Sequence, residues 1–138
     1  MNHLEIYIDG ASKGNPGHSG VGIVIYRNGL RIKNISSYIG SATNNVAEYT
    51  ALIYALEEAL LLKAQSLEIN TDSQLLARQL NKIYKVKHPG IVNLYNRAAH
   101  LLTGFEKVLI NHIPRQENSL ADKLATAAVN SALGRSLI

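Results

Sequence analysis

The chain predicts a mixed α/β fold: a five-stranded sheet whose three N-terminal strands are antiparallel, with about four flanking helices. Three observations predict it. The first forty residues carry apolar residues at strand spacing around a hairpin signal. After residue 43 the apolar spacing switches to the helical period. Two further short β-branched runs then separate helical stretches.

His3 to Asp9 alternates, with Leu4, Ile6 and Ile8 opposite Glu5, Tyr7 and Asp9, which reads as a strand ending on an aspartate. A glycine-rich loop from Gly10 to Gly17 follows. Val21 to Arg27 is a second strand, and Asn28-Gly29 is a two-residue hairpin signal leading into a third, Leu30 to Ile39. Asn44 or Asn45 then caps a helix. Its apolar stripe is Ala47, Ala51, Leu52, Ala55, Leu56, Ala59 and Leu60, running to about Lys63.

Leu67 to Thr71 is a fourth strand, followed by a helix from about Ser73 to Leu80. Pro89-Gly90 reads as a stop, after which Ile91 to Leu102 is helical and Gly104 ends it. Lys107 to Ile113 is a fifth strand closed by Pro114, and Asn118 to Ala132 is an alanine-rich helix. Gly134 releases a short tail whose Leu137 and Ile138 are expected to anchor on the core.

With 138 residues and 46% apolar content, one domain spanning 1–138 is expected. There is no cysteine, which excludes disulfides and Cys-based zinc sites and suits a reducing cytoplasm. The N-terminus lacks the pattern of a signal peptide, and no apolar run approaches the roughly 20 residues that span a bilayer, so no membrane partner is expected. Nothing in the sequence demands more than a monomer. The formal net charge is +4, mildly basic and compatible with a polyanionic partner. Between Ser73 and Phe105 no acid occurs, while Arg78, Lys82, Lys85, Lys87 and Arg97 do, interleaved with Tyr84 and Tyr95. That block reads as a phosphate-facing surface, with a solvated face as the ordinary alternative.

Four acids stand where acids are awkward. Asp9 and Asp72 end the first and fourth strands, which, if adjacent and parallel, place both carboxylates at one sheet edge. Glu48 lies in the first turn of its helix, in register with Leu52 and Ala55. Asp122 opens the last helix between alanines. Each has an ordinary alternative as turn chemistry, helix-dipole partner or cap. Together they form a cluster whose repulsion a cation relieves. Oxygen ligands without cysteine or clustered histidine point to Mg²⁺ or Mn²⁺. Two such ions about 4 Å apart are suited to phosphodiester cleavage. Setting these four aside leaves 14 basic residues against 6 acidic, a basic surface around an acidic hole.

The stretches I-D-G-A-S-K-G-N-P-G (8–17), T-N-N-V-A-E (43–48), T-D-S-Q (71–74) and H-I-P-R-Q-E-N-S-L-A-D (112–122) resemble, in order, the four motif blocks of the ribonuclease H type 1 family. The resemblance covers essentially the whole chain. It implies the ribonuclease H-like fold and a metal-dependent endonuclease that cuts the RNA strand of RNA–DNA hybrids. A broader variant also cuts double-stranded RNA, since both duplexes present A-like minor grooves. The metal ligands it implies are Asp9, Glu48, Asp72 and Asp122, holding two Mg²⁺ or Mn²⁺ ions. Gly10, Ser12, Asn15, Asn44, Asn45 and Gln74 match positions that read the hybrid through its minor groove, and Thr43 one that grips a DNA phosphate.

Two departures qualify the match. His112 stands ten residues before Asp122, where many members place a histidine that shuttles protons or aids product release. Arg115 stands seven before it, where another branch uses arginine, and is the preferred candidate. Between Leu80 and Ile91 only about ten residues are available, so the basic protrusion of longer members is missing in full form. Salt-sensitive substrate binding is the expected consequence. A hybrid-binding module with weak catalysis is disfavoured by the intact acid set. A transposase- or resolvase-type nuclease is disfavoured by the T-N-N and G-N-P-G blocks.

Overall fold

The computed structural model describes residues 2–82 and 85–134. Its strands are β1 (His3–Gly14), β2 (Gly17–Arg27), β3 (Leu30–Ala42), β4 (Ser66–Thr71) and β5 (Lys107–His112). Its helices are α1 (Asn44–Leu61), α2 (Gln74–Leu80), α3 (Pro89–Leu102) and α4 (Ser119–Ala132), with a 3-10 turn at Arg115–Asn118. The sheet order is β3-β2-β1-β4-β5, antiparallel among the first three strands and parallel for β1–β4 and β4–β5. This is the mixed sheet the sequence predicts. Leu137, Ile138 and Tyr84, singled out from sequence, lie outside the described residues.

The element ends differ from expectation in ways that shape the site. β1 does not end at Asp9. It runs on to Gly14, pairing Asp9–Gly22 through Gly14–Gly17. The glycine-rich stretch is therefore the far half of a hairpin that turns at Asn15–Pro16, not a loop. On its other side β4 stops at Thr71, opposite Ile8. Asp9 is thus the first residue of an overhang rather than the last residue of a strand.

Caps also moved. Thr43, not Asn44 or Asn45, caps α1, its Oγ1 accepting from the Val46 N–H at 3.2 Å. Glu48 consequently lies in the second turn of α1, not the first. Ser73 caps α2, accepting from Leu76 N–H, which leaves Asp72 uncommitted to that end. Pro89 opens α3 instead of stopping the chain, since the first helical position needs no N–H. The Asn28-Gly29 hairpin is as expected. Both residues have positive φ (52° and 78°), the twist a two-residue turn requires.

Alternation along β1 and β2 sorts the layers. Leu4, Ile6 and Ile8 with Val21, Ile23, Ile25, Leu67 and Ile69 are wholly or almost wholly buried with Leu52, Leu56 and Tyr49 of α1. Each aliphatic side chain so buried contributes roughly 1.5–3 kcal/mol. The buried part of α1 is wider than one stripe. Tyr49 and Ile53 are buried while Leu60 is 38% exposed, because α3 packs against α1 away from the sheet. Tyr49 also donates its hydroxyl to Gln79 Oε1 of α2 at 2.7 Å.

Helix α4 covers the other face. A Cβ at Gly22 would fall 2.0 Å from the Ala121 carbonyl oxygen, and one at Gly20 2.6 Å from that of Ala125. Backbone lies against backbone there. Two glycines on β2 and the alanines of α4 make that approach possible, and it carries Asp122 in towards β1.

Candidate active site

The β1–β4 register ends at Ile8–Thr71. Past it, two backbone groups of β1 take side-chain partners instead of a strand. Asn118 Nδ2 donates to the Ile8 carbonyl at 2.8 Å, and the Gly10 N–H donates to Glu48 Oε2 at 3.3 Å. The end of one strand thus draws an asparagine from beyond β5 and a glutamate from α1 to the same edge.

Asp9 and Asp72 meet there, as the parallel register requires. One carboxylate oxygen each of Asp9, Glu48 and Asp72 lies within 4.8 Å of the other two. Asp122, in the first turn of α4, hydrogen-bonds with Asp9. All four line one cleft of about 490 Å³, together with Gly10, Ser12, Lys13, Asn44 and Arg115.

Electrostatics within the cleft follow from this crowding. Asp9 is 5% exposed. Burial first, then the charge of Asp72 and the hydrogen bond and charge of Asp122, push its carboxyl from the usual 3.8 up to about 8, with Arg115 opposing. Burial and the charges of Asp9 and Asp72 hold Glu48 well above its usual value, against the pull of the Gly10 N–H. Asp72 is raised by burial, while Asn118, Arg115 and His112 pull it down and Asp122 pushes it up. These carboxylates resist being ionised together.

That is the donor chemistry of a hard divalent cation. Three clustered oxygen ligands of like charge, with no cysteine in the chain, suit a hard divalent cation better than zinc. The residues present fit such ions.

The remaining sequence-predicted residues divide in two. Gly10, Ser12, Asn44 and Arg115 line the cleft with the acids. Gly10 lacks a side chain for a reason the sequence did not show: a Cβ would fall 2.4 Å from the Ala47 carbonyl carbon, so its open face is filled by α1. Ser12 Oγ lies 2.5 Å from the Gly14 carbonyl and 2.9 Å from that of Ala42, tying the hairpin to β3.

Asn15, Thr43, Asn45, Gln74 and His112 stand outside the cleft lining. Asn15, at the hairpin tip, accepts from the Asn44 N–H at 2.9 Å and so joins the tip to the start of α1. Thr43 is the cap described above. Asn45 has a buried Oδ1 with no donor among the described residues. Gln74 is exposed at the start of α2, and His112 is exposed at the end of β5.

Sequence reasoning missed two residues. Lys13 lines the cleft and donates to Asn130 Oδ1 at 2.7 Å. Asn118, part of the last motif block but given no role, reaches both the Ile8 carbonyl and Asp72 Oδ2. From sequence it reads as no more than the first residue of the alanine-rich helix; in the structure it precedes α4 and its side chain makes no capping bond.

Residues 7–128 match the family described as reverse transcriptase-like. The chain is 42% identical over 130 residues to a ribonuclease HI of Halobacterium salinarum, covering 94% of this chain and 65% of the relative. It is 32% identical over 146 residues to a ribonuclease H of Geotalea uraniireducens, covering 96% and 97%. It spans 35% of the length of a 39%-identical bifunctional protein of Mycobacterium tuberculosis. Among solved structures, ribonuclease H1 of Halobacterium salinarum superposes with TM-score 0.91 at 42% identity, over 94% of this chain and 98% of that one. LC11-RNase H1 in complex with an RNA/DNA hybrid superposes with TM-score 0.90 at 39% identity, over 94% and 99%. Four acids on one edge of a β3-β2-β1-β4-β5 sheet, a ribonuclease H relative matched over 97% of its length and a ribonuclease H1 structure matched over 98% of its own place this chain in the ribonuclease H type 1 family.

Proposed function

We propose that this chain is an endoribonuclease that hydrolyses the RNA strand of RNA–DNA hybrids. The observation that carries the proposal is the Asp9–Glu48–Asp72 cluster, three carboxylates within 4.8 Å at the floor of a cleft that Asp122 and Arg115 complete. Asp9, Glu48, Asp72 and Asp122 would hold two Mg²⁺ or Mn²⁺ ions. When bound, such ions supply Lewis acidity for attack of water on phosphorus and for departure of the 3′ oxygen.

The chain's own residues do the rest. The overhanging β1–β2 hairpin presents Ser12 beside the acids, with Asn15 and Asn44 linked at its tip, a polar ledge for the minor groove and its 2′-hydroxyls. Arg115, facing Asp9 and Asp72 from the 3-10 turn, supplies positive charge where the phosphate would sit. Thr43, Asn45 and Gln74 extend the contact surface around α1 and α2. Lys82 and Lys85 beside Tyr95 form a basic groove in place of the missing protrusion. The unit acts as one ribonuclease H domain and a monomer, in the cytoplasm. Among the described residues no helix is long and apolar enough to cross a membrane.

Labelled RNA–DNA, RNA–RNA and DNA–DNA duplexes incubated with the protein in Mg²⁺ or Mn²⁺ test this. Cleavage of the RNA strand in the hybrid alone is expected. Cleavage of the RNA–RNA duplex too would widen the substrate class, and no cleavage of any RNA strand would refute the enzyme.

A further inference from the structure

Asn118 is 1% exposed and belongs to neither the acid cluster nor the duplex-facing ledge. Its Nδ2 donates to two acceptors at once, the Ile8 carbonyl at 2.8 Å and Asp72 Oδ2 at 3.4 Å. The Ile8 carbonyl can only accept, so the amide must present its NH₂ to it. Its Oδ1 is buried and has no donor among the described residues. An unsatisfied buried oxygen opposes stability. The side chain is held in this orientation by what its nitrogen does.

The placement is specific. Ile8 precedes Asp9 and lies at the last step of the β1–β4 register, so its carbonyl marks the point where the two acid-bearing strands part. Asn118 bridges that gap. It also sits on the segment that carries the site's other groups, three residues after Arg115 and four before Asp122. One side chain therefore ties together β1, the Asp72 carboxylate and the junction between the 3-10 turn and α4.

We infer that Asn118 is a positioning residue: it fixes the Asp72 carboxylate for cation binding and locks the Arg115–Asp122 segment onto β1. The inference rests on the nuclease function proposed above. Neither aspartate nor alanine can replace it. Aspartate has the shape but sets an acceptor against a carbonyl and a carboxylate. Alanine leaves both acceptors without this donor. Outer partners of metal-ligating groups generally change affinity or activity by about 10–100-fold when removed.

The test compares wild type, Asn118→Ala and Asn118→Asp by hybrid cleavage and by the rise in melting temperature on titrating Mg²⁺ alone. Expected is a kcat loss of about tenfold or more with KM for the hybrid little changed, together with a weaker Mg²⁺-induced rise. A residue that only holds the fold together would lower the metal-free melting temperature and leave both readouts intact below it. Should Asn118→Ala not fold, Asn118→Ser keeps one donor in a smaller volume, and intermediate values are expected of it. Folded variants with wild-type kcat and a wild-type Mg²⁺ response would overturn the inference, as would a loss confined to KM. If wild type itself cleaves no hybrid, the proposed function fails, and the Mg²⁺ titration still decides the role of Asn118.

Discussion

The N–H of Gly10 donates to Glu48 Oε2 at 3.3 Å, and the missing side chain of Gly10 is what lets α1 come near enough to accept it. A Cβ at position 10 would fall 2.4 Å from the Ala47 carbonyl carbon and 2.6 Å from the Glu48 nitrogen. Neither obstacle is the end of a flexible side chain. Gly10→Ala is therefore expected to push α1 off β1, destabilising the protein by about 1–3 kcal/mol, as overpacking does. The Mg²⁺-induced rise in melting temperature should shrink with it, because Glu48 moves. A variant as stable and as Mg²⁺-responsive as wild type would show that the backbone contact is not limiting.

Asp9 makes the metal-free protein pH-sensitive. Its folded pKa, about 8, lies far above the usual 3.8, and Glu48 and Asp72 are shifted the same way. An acid raised in the folded state contributes stability that is fully present below the unfolded pKa. That contribution is lost as pH rises through the folded value. Without divalent cations, the melting temperature should fall between about pH 4 and pH 8. Asp9→Asn should remove part of that fall and be the more stable protein at pH 8.5. Saturating Mg²⁺ should reverse the order, since a ligand that binds only the folded state stabilises it. Parallel melting curves of the two proteins in chelator would contradict the buried cluster.

Arg115 and His112 separate by position. Arg115 lines the cleft, whereas His112 ends β5 on the exposed surface and touches the site through its charge on Asp72. Arg115→Ala is expected to lower kcat by about 10²-fold, the scale of losing a donor at a developing charge. His112→Ala should stay within about threefold of wild type, the scale of a surface substitution. The opposite ranking in single-turnover cleavage would assign the proton-transfer or product-release role to His112.

Lys82 and Lys85 line one groove with Gln79, Tyr95 and Asn96. If they meet backbone phosphates, removing each should weaken hybrid binding regardless of sequence and reduce the slope of log K against log salt by about 1. Binding isotherms at several KCl concentrations, measured with Asp72→Asn in Ca²⁺ to prevent cleavage, give that slope directly. An unchanged slope in Lys82→Ala and Lys85→Ala would remove this groove from the substrate path.

Much of the site was legible because local chemistry announced it. Asp9 and Asp72 close short β-branched runs, Asn28-Gly29 can hardly be other than a hairpin turn, and the four acids interrupt otherwise apolar or alanine-rich elements. Less legible was whatever depended on a neighbour in space. Pro89 read as a stop because proline's effect differs between the first turn and the interior of a helix, and spacing alone does not say which applies. Tyr49 and Ile53 fell outside the expected stripe because α3, distant in sequence, covers the outer side of α1.

The sequence by itself determined which residues carry charge into the interior, in what order, and on elements of what period. Side-chain alternation and hydrogen-bonding chemistry are local, so these follow from neighbours along the chain. Only the tertiary structure decided that β1 outruns β4 and that the glycine-rich stretch is a paired hairpin. It also decided that Gly10 and Gly22 exist to admit α1 and α4, and that Asn118 bridges the parted strands. Those facts turn on where one strand stops relative to another and on how closely two backbones approach. No property of a single segment encodes either distance.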